Sequence, residues 1–171
     1  MAQKYQRYRD PLELFLDDGF SNVETVGSLR AADFVVHAFE DHFHREDRPE
    51  KRQQSVKDTR IIPLCHSKKW LLVTLDTHMR NKHATEIAEN PNVTILAFAH
   101  NGMIAADEWV QALIAAKPKI ERFWAKLPRP WCVQINRTGE VTACHCPNDT
   151  KMPHHAKVKV RIKTSVRASK G

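Results

Sequence analysis

The chain has 171 residues, 42% hydrophobic and 27% charged, which suits one domain with a sizeable core. No apolar run approaches the roughly 20 residues of a membrane span, and the start, MAQKYQRYRD, lacks the apolar region of a secretory signal. Residues 151–171 hold seven Lys or Arg and no acid, so they carry the whole formal excess of +7 and leave a formally neutral body.

A basic tail suits a polyanion such as RNA or DNA, or simply a solubilising end, so net charge alone does not establish nucleic-acid binding. The four cysteines, Cys65, Cys132, Cys144 and Cys146, are scattered. Reduced thiols in a cytoplasmic protein without membrane contact are the expectation.

Residues 1–11 are polar and charged and read as an arm. Residues 12–16 are apolar and stop at Asp17-Asp18-Gly19, the pattern of a buried parallel strand closed by a turn. Ser21 is the expected N-cap of a short helix carrying Val23, Val26 and Leu29. Residues 33–37 (DFVVH) predict a second strand, and 40–57 form a long polar segment of the kind that is often functional. Asp58 opens a helix whose buried side is Ile61, Ile62, Leu64 and Cys65, with Pro63 in its first turns.

A third strand, 70–75 (WLLVTL), runs into Asp76. Helix 79–89, a turn at Asn90-Pro91-Asn92 and strand 93–98 (VTILAF) follow. Residues 105–127 give the longest helical pattern, with Trp109, Leu113, Ile120, Phe123 and Trp124 near one face and Pro118 expected to break or kink it. Residues 131–135 and 140–144 predict a terminal β-hairpin, and the tail alternates Lys and Val (KVKVRIK). This order predicts an α/β fold, a three-layer α/β/α sandwich with a mostly parallel central sheet, over residues 12–146, followed by a basic tail, 147–171.

Acids at the carboxyl ends of parallel strands sit where open α/β sheets place their ligands. Asp17 ends the first strand, Asp76 the third, and Asp58 starts the helix leading into the third, so three carboxylates can converge on one edge. Clustered carboxylates repel unless a positive charge stands between them, and a hard divalent cation is the economical solution. Each acid also has an ordinary role: Asp58 as a helix cap, Asp76 as a turn former, Asp18 as a solvated neighbour. Cys144-His145-Cys146 with His154 and His155 offers zinc-like ligands at a spacing that matches no recognised finger. Trp70, Trp109, Trp124 and Trp131 are spaced as core.

The ordered set LELFLDDGFS, DFVVHAFEDHF, VKDTRIIPLCHSKKWLLVTLDTHM, RNKHATEIAENPNVTILAF and WCVQINRTGEVTAC resembles the PIN-like domain of VapC-type toxins. That resemblance implies a magnesium- or manganese-dependent ribonuclease, held in check by an antitoxin protein and often dimeric. It implies Asp17, Asp58 and Asp76 as metal-binding and catalytic acids, supported by Asp18, Thr74, Arg80 and Glu86, with Arg80 or His83 at the phosphate. The pattern departs from many relatives in lacking a fourth acid after the third strand. Two other readings stand beside it: a PIN-like binding module without catalysis, and a phosphorelay receiver. The receiver also pairs acids after its first strand, but it needs a lysine closing a late strand, and Lys117-Pro118 falls inside a helical pattern instead.

Overall fold

Successive side chains of a strand face opposite sides of a sheet, so a fully apolar run buries both sides. In the computed structural model, which describes residues 10–43, 58–99, 105–127 and 129–144, the central runs 71–74 and 94–98 are buried throughout, while the edge run 35–37 leaves Val35 exposed. The elements are β1 (Glu13–Leu16), α1 (Val23–Ala31), β2 (Val35–His37), a 3-10 turn (Phe39–Asp41), α2 (Asp58–Lys68), β3 (Leu71–Thr74), α3 (Met79–Lys82), α4 (Ala84–Glu89), β4 (Thr94–Phe98), α5 (Ala106–Lys126), β5 (Trp131–Ile135) and β6 (Val141–Cys144). The six strands form one sheet in the order β2-β1-β3-β4-β5-β6. All neighbours are parallel except the terminal hairpin β5–β6.

Two core clusters occupy the two faces. Leu14, Leu16, Leu71, Val73, Leu96, Phe98, Val133 and Ile135 pack under α1 and α5. Phe15, Leu72, Ile95 and Cys132 pack with Ile61, Ile62 and Cys65 of α2, Met79 of α3 and Ile87 of α4. The result is an α/β fold with helices on both faces of a mostly parallel sheet. No helix among the described residues is long and apolar enough to cross a membrane.

Several expectations are corrected. Asn22, not Ser21, caps α1, its side-chain oxygen accepting the Thr25 N–H at 2.8 Å. Ser21 is buried instead, donating to Glu40 Oε2 and accepting the Phe39 N–H, each at 2.9 Å. The helix expected over 79–89 is two short ones, separated at His83 (φ −116°, ψ 34°). Pro118 does not break α5: it is exposed and removes one backbone donor, while Trp109, Val110, Leu113, Ala116, Ile120 and Trp124 bury the opposite side. The four tryptophans are core, as expected. The arm up to residue 9, most of the polar segment (44–57), the basic tail, His44, His100 and the zinc-like set including the Cys144 side chain lie outside the described residues.

The crossovers do not share one hand. The β3-to-β4 and β4-to-β5 connections step the same way along the sheet, yet α3 and α4 cover one face and α5 the other. Connections through α1, α2 and α3/α4 agree with one another, so β4–α5–β5 is the exception to a rule that holds in about 98% of parallel crossovers. Coverage explains it. The nine residues of α1 cannot cap Phe98, Val133 and Ile135, whereas the 21 of α5 do. Lys117 of α5 then donates to the carbonyls of Ala32 and Asp33, each at 2.9 Å, closing the end of α1.

The chain start is tied to the same helix. The Trp124 indole donates to the Asp10 carbonyl at 2.8 Å, and Arg129, stacked on Trp124, reaches the Asp10 carboxylate at 3.3 Å. On the hairpin, Gly139 holds φ +77°, and a Cβ there would stand 3.0 Å from the Ala112 carbonyl of α5 and 3.1 Å from Ala115 Cβ. Gly139→Ala is therefore expected to destabilise the fold by about 1–3 kcal/mol. A thermal melt checks this, and an unchanged midpoint overturns it.

Candidate functional site

Asp17 is the first residue past β1, and its N–H still reaches the Val73 carbonyl at 3.0 Å. The chain then turns tightly, the Asp17 carbonyl accepting the N–H groups of Phe20 (2.8 Å) and Ser21 (2.9 Å), while buried Phe20 anchors the turn. The carboxylate of Asp17 is engaged at both oxygens: Oδ1 accepts the Asp18 N–H at 2.8 Å and Oδ2 the Thr74 hydroxyl at 2.8 Å. Thr74, the last residue of β3, is fully buried, and its hydroxyl also accepts the Asp76 N–H at 3.0 Å. One hydroxyl thus joins the acids that follow two adjacent strands.

Asp76 Oδ1 accepts the His78 N–H and Oδ2 meets the Lys82 ammonium, both at 2.8 Å. Burial pushes the Asp76 carboxyl up, but the Lys82 and His78 contacts outweigh it and hold the group below the usual carboxylate range. Lys82 is raised in return, mainly by its bond to Asp76, with a further contribution from the charge of Asp58. Asp58 occupies the first turn of α2, where a carboxylate meets the positive end of the helix dipole. Its Oδ2 lies 2.8 Å from His83 Nε2, and His83 Nδ1 lies 3.8 Å from Glu86 Oε2.

Asp17 is the unsettled member. Burial raises its pKa, the Thr74 and Asp18 hydrogen bonds lower it, and the charges of Asp58 and Asp18 raise it further, leaving a net upward shift. Asp58 therefore acts electrostatically on both Asp17 and Lys82, while Thr74 links Asp17 to the segment of Asp76 at the carboxyl edge of the sheet. Among the described residues, however, no three His, Cys, Asp or Glu side chains are set together as a ready-made metal cage. Each acid is held by a protein donor instead: Asp17 by Thr74, Asp58 by His83, Asp76 by Lys82. The donor set still fits a hard divalent cation, since it offers oxygens, and a positive charge would offset both effects that raise Asp17.

Of the supporting residues, Thr74 joins Asp17 to Asp76, Asp18 lies beside Asp17, and Glu86 lies beyond His83. Arg80 shares a small pocket with Asp76, Thr77, Ala97, Cys132 and Gln134. Lys82 is the residue that sequence reasoning missed; its signal was a base six residues after Asp76, on the helix that the acid precedes. Cys65 faces the site from α2, but burial, and then the charge of Asp17, push its thiol far up, which makes it a packing residue.

A second polar group lies at the opposite, amino end of β1. Glu13 Oε2 contacts His37 Nε2 at 2.6 Å and accepts the Trp70 indole N–H at 3.0 Å, while the His37 ring stacks on Trp70 at 3.7 Å. His42 also packs on Trp70, and burial, then the neighbouring His37, lower its pKa. The only hint in the sequence was an acid inside an apolar strand. The chain matches no family model, no curated protein and no solved structure.

Two outcomes follow from the hub. A carboxyl whose folded pKa is raised binds more protons in the native than in the unfolded state, so its ionisation lowers stability as pH rises from the unfolded value through the folded one. Asp17→Asn keeps an acceptor for the Asp18 N–H but places an amide nitrogen, which cannot accept, where Oδ2 takes the Thr74 hydroxyl, so it carries a cost that does not vary with pH. The melting temperature of the variant relative to wild type, without divalent cation, is expected to climb as pH rises from the unfolded through the folded pKa of Asp17, by roughly 2–4 °C for each kcal/mol relieved; a difference that stays flat across pH overturns it. Thr74→Val leaves Asp17 Oδ2 and the Asp76 N–H unpaired and is expected to cost about 1–3 kcal/mol, read by denaturant titration. A midpoint equal to wild type overturns the hub.

Proposed function

We propose that this chain is a metal-dependent endoribonuclease of the PIN-like type, with the three-layer α/β/α architecture of that family, acting as the toxin of a toxin–antitoxin pair. The observation that carries the reading is the joining of Asp17 to Asp76 through Thr74, with Asp58 near enough to raise Asp17. Asp17, Asp58 and Asp76 would hold magnesium or manganese. When bound, the cation supplies Lewis acidity to the scissile phosphodiester and raises the acidity of a water. Asp17, with its carboxylate oriented by Thr74 and the Asp18 N–H, presents donor oxygens at the strand end and accepts a proton through water. Lys82 and Arg80, on the helix beside Asp76, supply positive charge for the phosphate. RNA is the substrate, and the partners are an antitoxin protein and a second copy of the chain. Helix α5 can meet a partner only through its outer side, around Gln111, Ala115 and Arg122, because its inner side is core.

A binding module without catalysis is favoured by one observation: Asp76 is already paired with Lys82, and no three-ligand cage exists among the described residues. A receiver shares the strand order 2-1-3-4-5, but here the helix joining β4 to β5 covers the α1 face instead of the opposite one, and β5 ends at Ile135 and Asn136 with no lysine.

The deciding experiment is cleavage of labelled RNAs by the full chain with Mg2+ or Mn2+, beside EDTA, Asp17→Asn, Asp58→Asn and Asp76→Asn. Cutting is expected to need the cation and to fall by more than about a hundredfold in each variant. Cutting that survives the substitutions sinks the site. RNA binding without metal binding or cutting establishes the module instead.

A further inference from the structure

We infer that His83 is a positioning residue of the acidic site: its ring fixes the direction of the Asp58 carboxylate. The inference rests on the metal-dependent reading above and adds a residue to it. Met79, His83 and Ile87 are four residues apart in succession, and Met79 and Ile87 are buried in the core cluster under α3 and α4. A position on such a stripe is ordinarily apolar, and a polar ring there needs a partner. His83, with its side chain 19% exposed, finds one in Asp58, whose Oδ2 is 2.8 Å from Nε2. The backbone breaks between α3 and α4 at this residue, so the ring is delivered by a local departure from helix.

The bond has a direction. An ionised carboxylate only accepts, so Nε2 carries the hydrogen, and Asp58 Oδ2 is committed to it. Oδ1 is then the Asp58 oxygen left for a cation, and its direction is set by the His83 ring. Glu86, on α4, stands 3.8 Å from Nδ1 and flanks the ring on its far side. His83 Nδ1 is buried with no hydrogen-bond partner among the described residues, so Glu86 flanks the ring and the contact to Asp58 is what holds it. Metal ligands are commonly oriented by such outer partners, whose loss weakens metal affinity about 10–100-fold.

The test is Mn2+ binding to the full chain, by calorimetry or by loss of free-ion electron resonance, with melting curves and RNA cleavage alongside. His83→Leu keeps the apolar stripe and removes the donor; it is expected to weaken Mn2+ binding about 10–100-fold while remaining folded. His83→Gln places an amide donor near the Nε2 position and is expected to recover most of that loss, whereas His83→Asn, reaching only the Nδ1 position, is not. A folded His83→Leu chain that binds Mn2+ like wild type, while Asp58→Asn loses it, overturns the inference alone. Equal affinities for the Gln and Asn variants overturn it too, which decides the matter even if the Leu variant does not fold. Wild-type chain that binds no Mn2+ overturns the metal-dependent reading and this inference together.

Discussion

The Thr74 hydroxyl is the constraint on which the acidic edge depends. It has one hydrogen to give and gives it to Asp17, and it takes the Asp76 N–H on a lone pair. Both contacts are needed because Thr74 is fully buried and an unpaired hydroxyl there would be costly. The consequence is geometric: the ends of β1 and β3, which are hydrogen-bonded neighbours, are locked in register at the point where each delivers a carboxylate. Asp17 is held there, and its pKa is raised by burial first, with the charges of Asp58 and Asp18 adding to it. A buried carboxyl held in an unfavourable state is an arrangement more often found at functional sites than in structural ion pairs.

The unusual crossover decides how the two faces are filled. With α5 beside α1, one face is sealed by a single long helix and a short one, and the other by α2, α3 and α4. All three elements that present site residues beyond the strand ends, α2 with Asp58, α3 with Arg80 and Lys82, and the His83 break, belong to the second face. The first face carries none of the candidate chemistry. Both faces are buried, and the second also carries the candidate polar groups at its carboxyl edge.

Much of this was readable in the residues. The runs ending at Asp17 and Asp76 are apolar apart from Glu13 and Thr74 because both faces are covered, and such runs identify parallel strands and their ends directly. What a strand end does with its acid is set by tertiary neighbours: Lys82 reaching back to Asp76 and His83 reaching across to Asp58 are contacts between elements, invisible to periodicity. Pro118 misled because a proline's local penalty is weighed against a buried face of seven large or small apolar residues, and the face wins. Ser21 misled because its hydroxyl is worth more inside, joining Glu40 to the Phe39 amide, than at a helix start that Asn22 serves as well. The hand of the α5 crossover has no local signature at all; it follows from which face lacked cover.

The clamp at Asp10 gives the domain a mechanical property. Its carbonyl and carboxylate are held by Trp124 and Arg129, residues more than a hundred positions away. A pull on the amino end therefore loads the indole and guanidinium contacts before it can peel β1 from the sheet. The force path runs into the end of α5 and the segment before β5, so load on the first segment is shared with residues far along the chain.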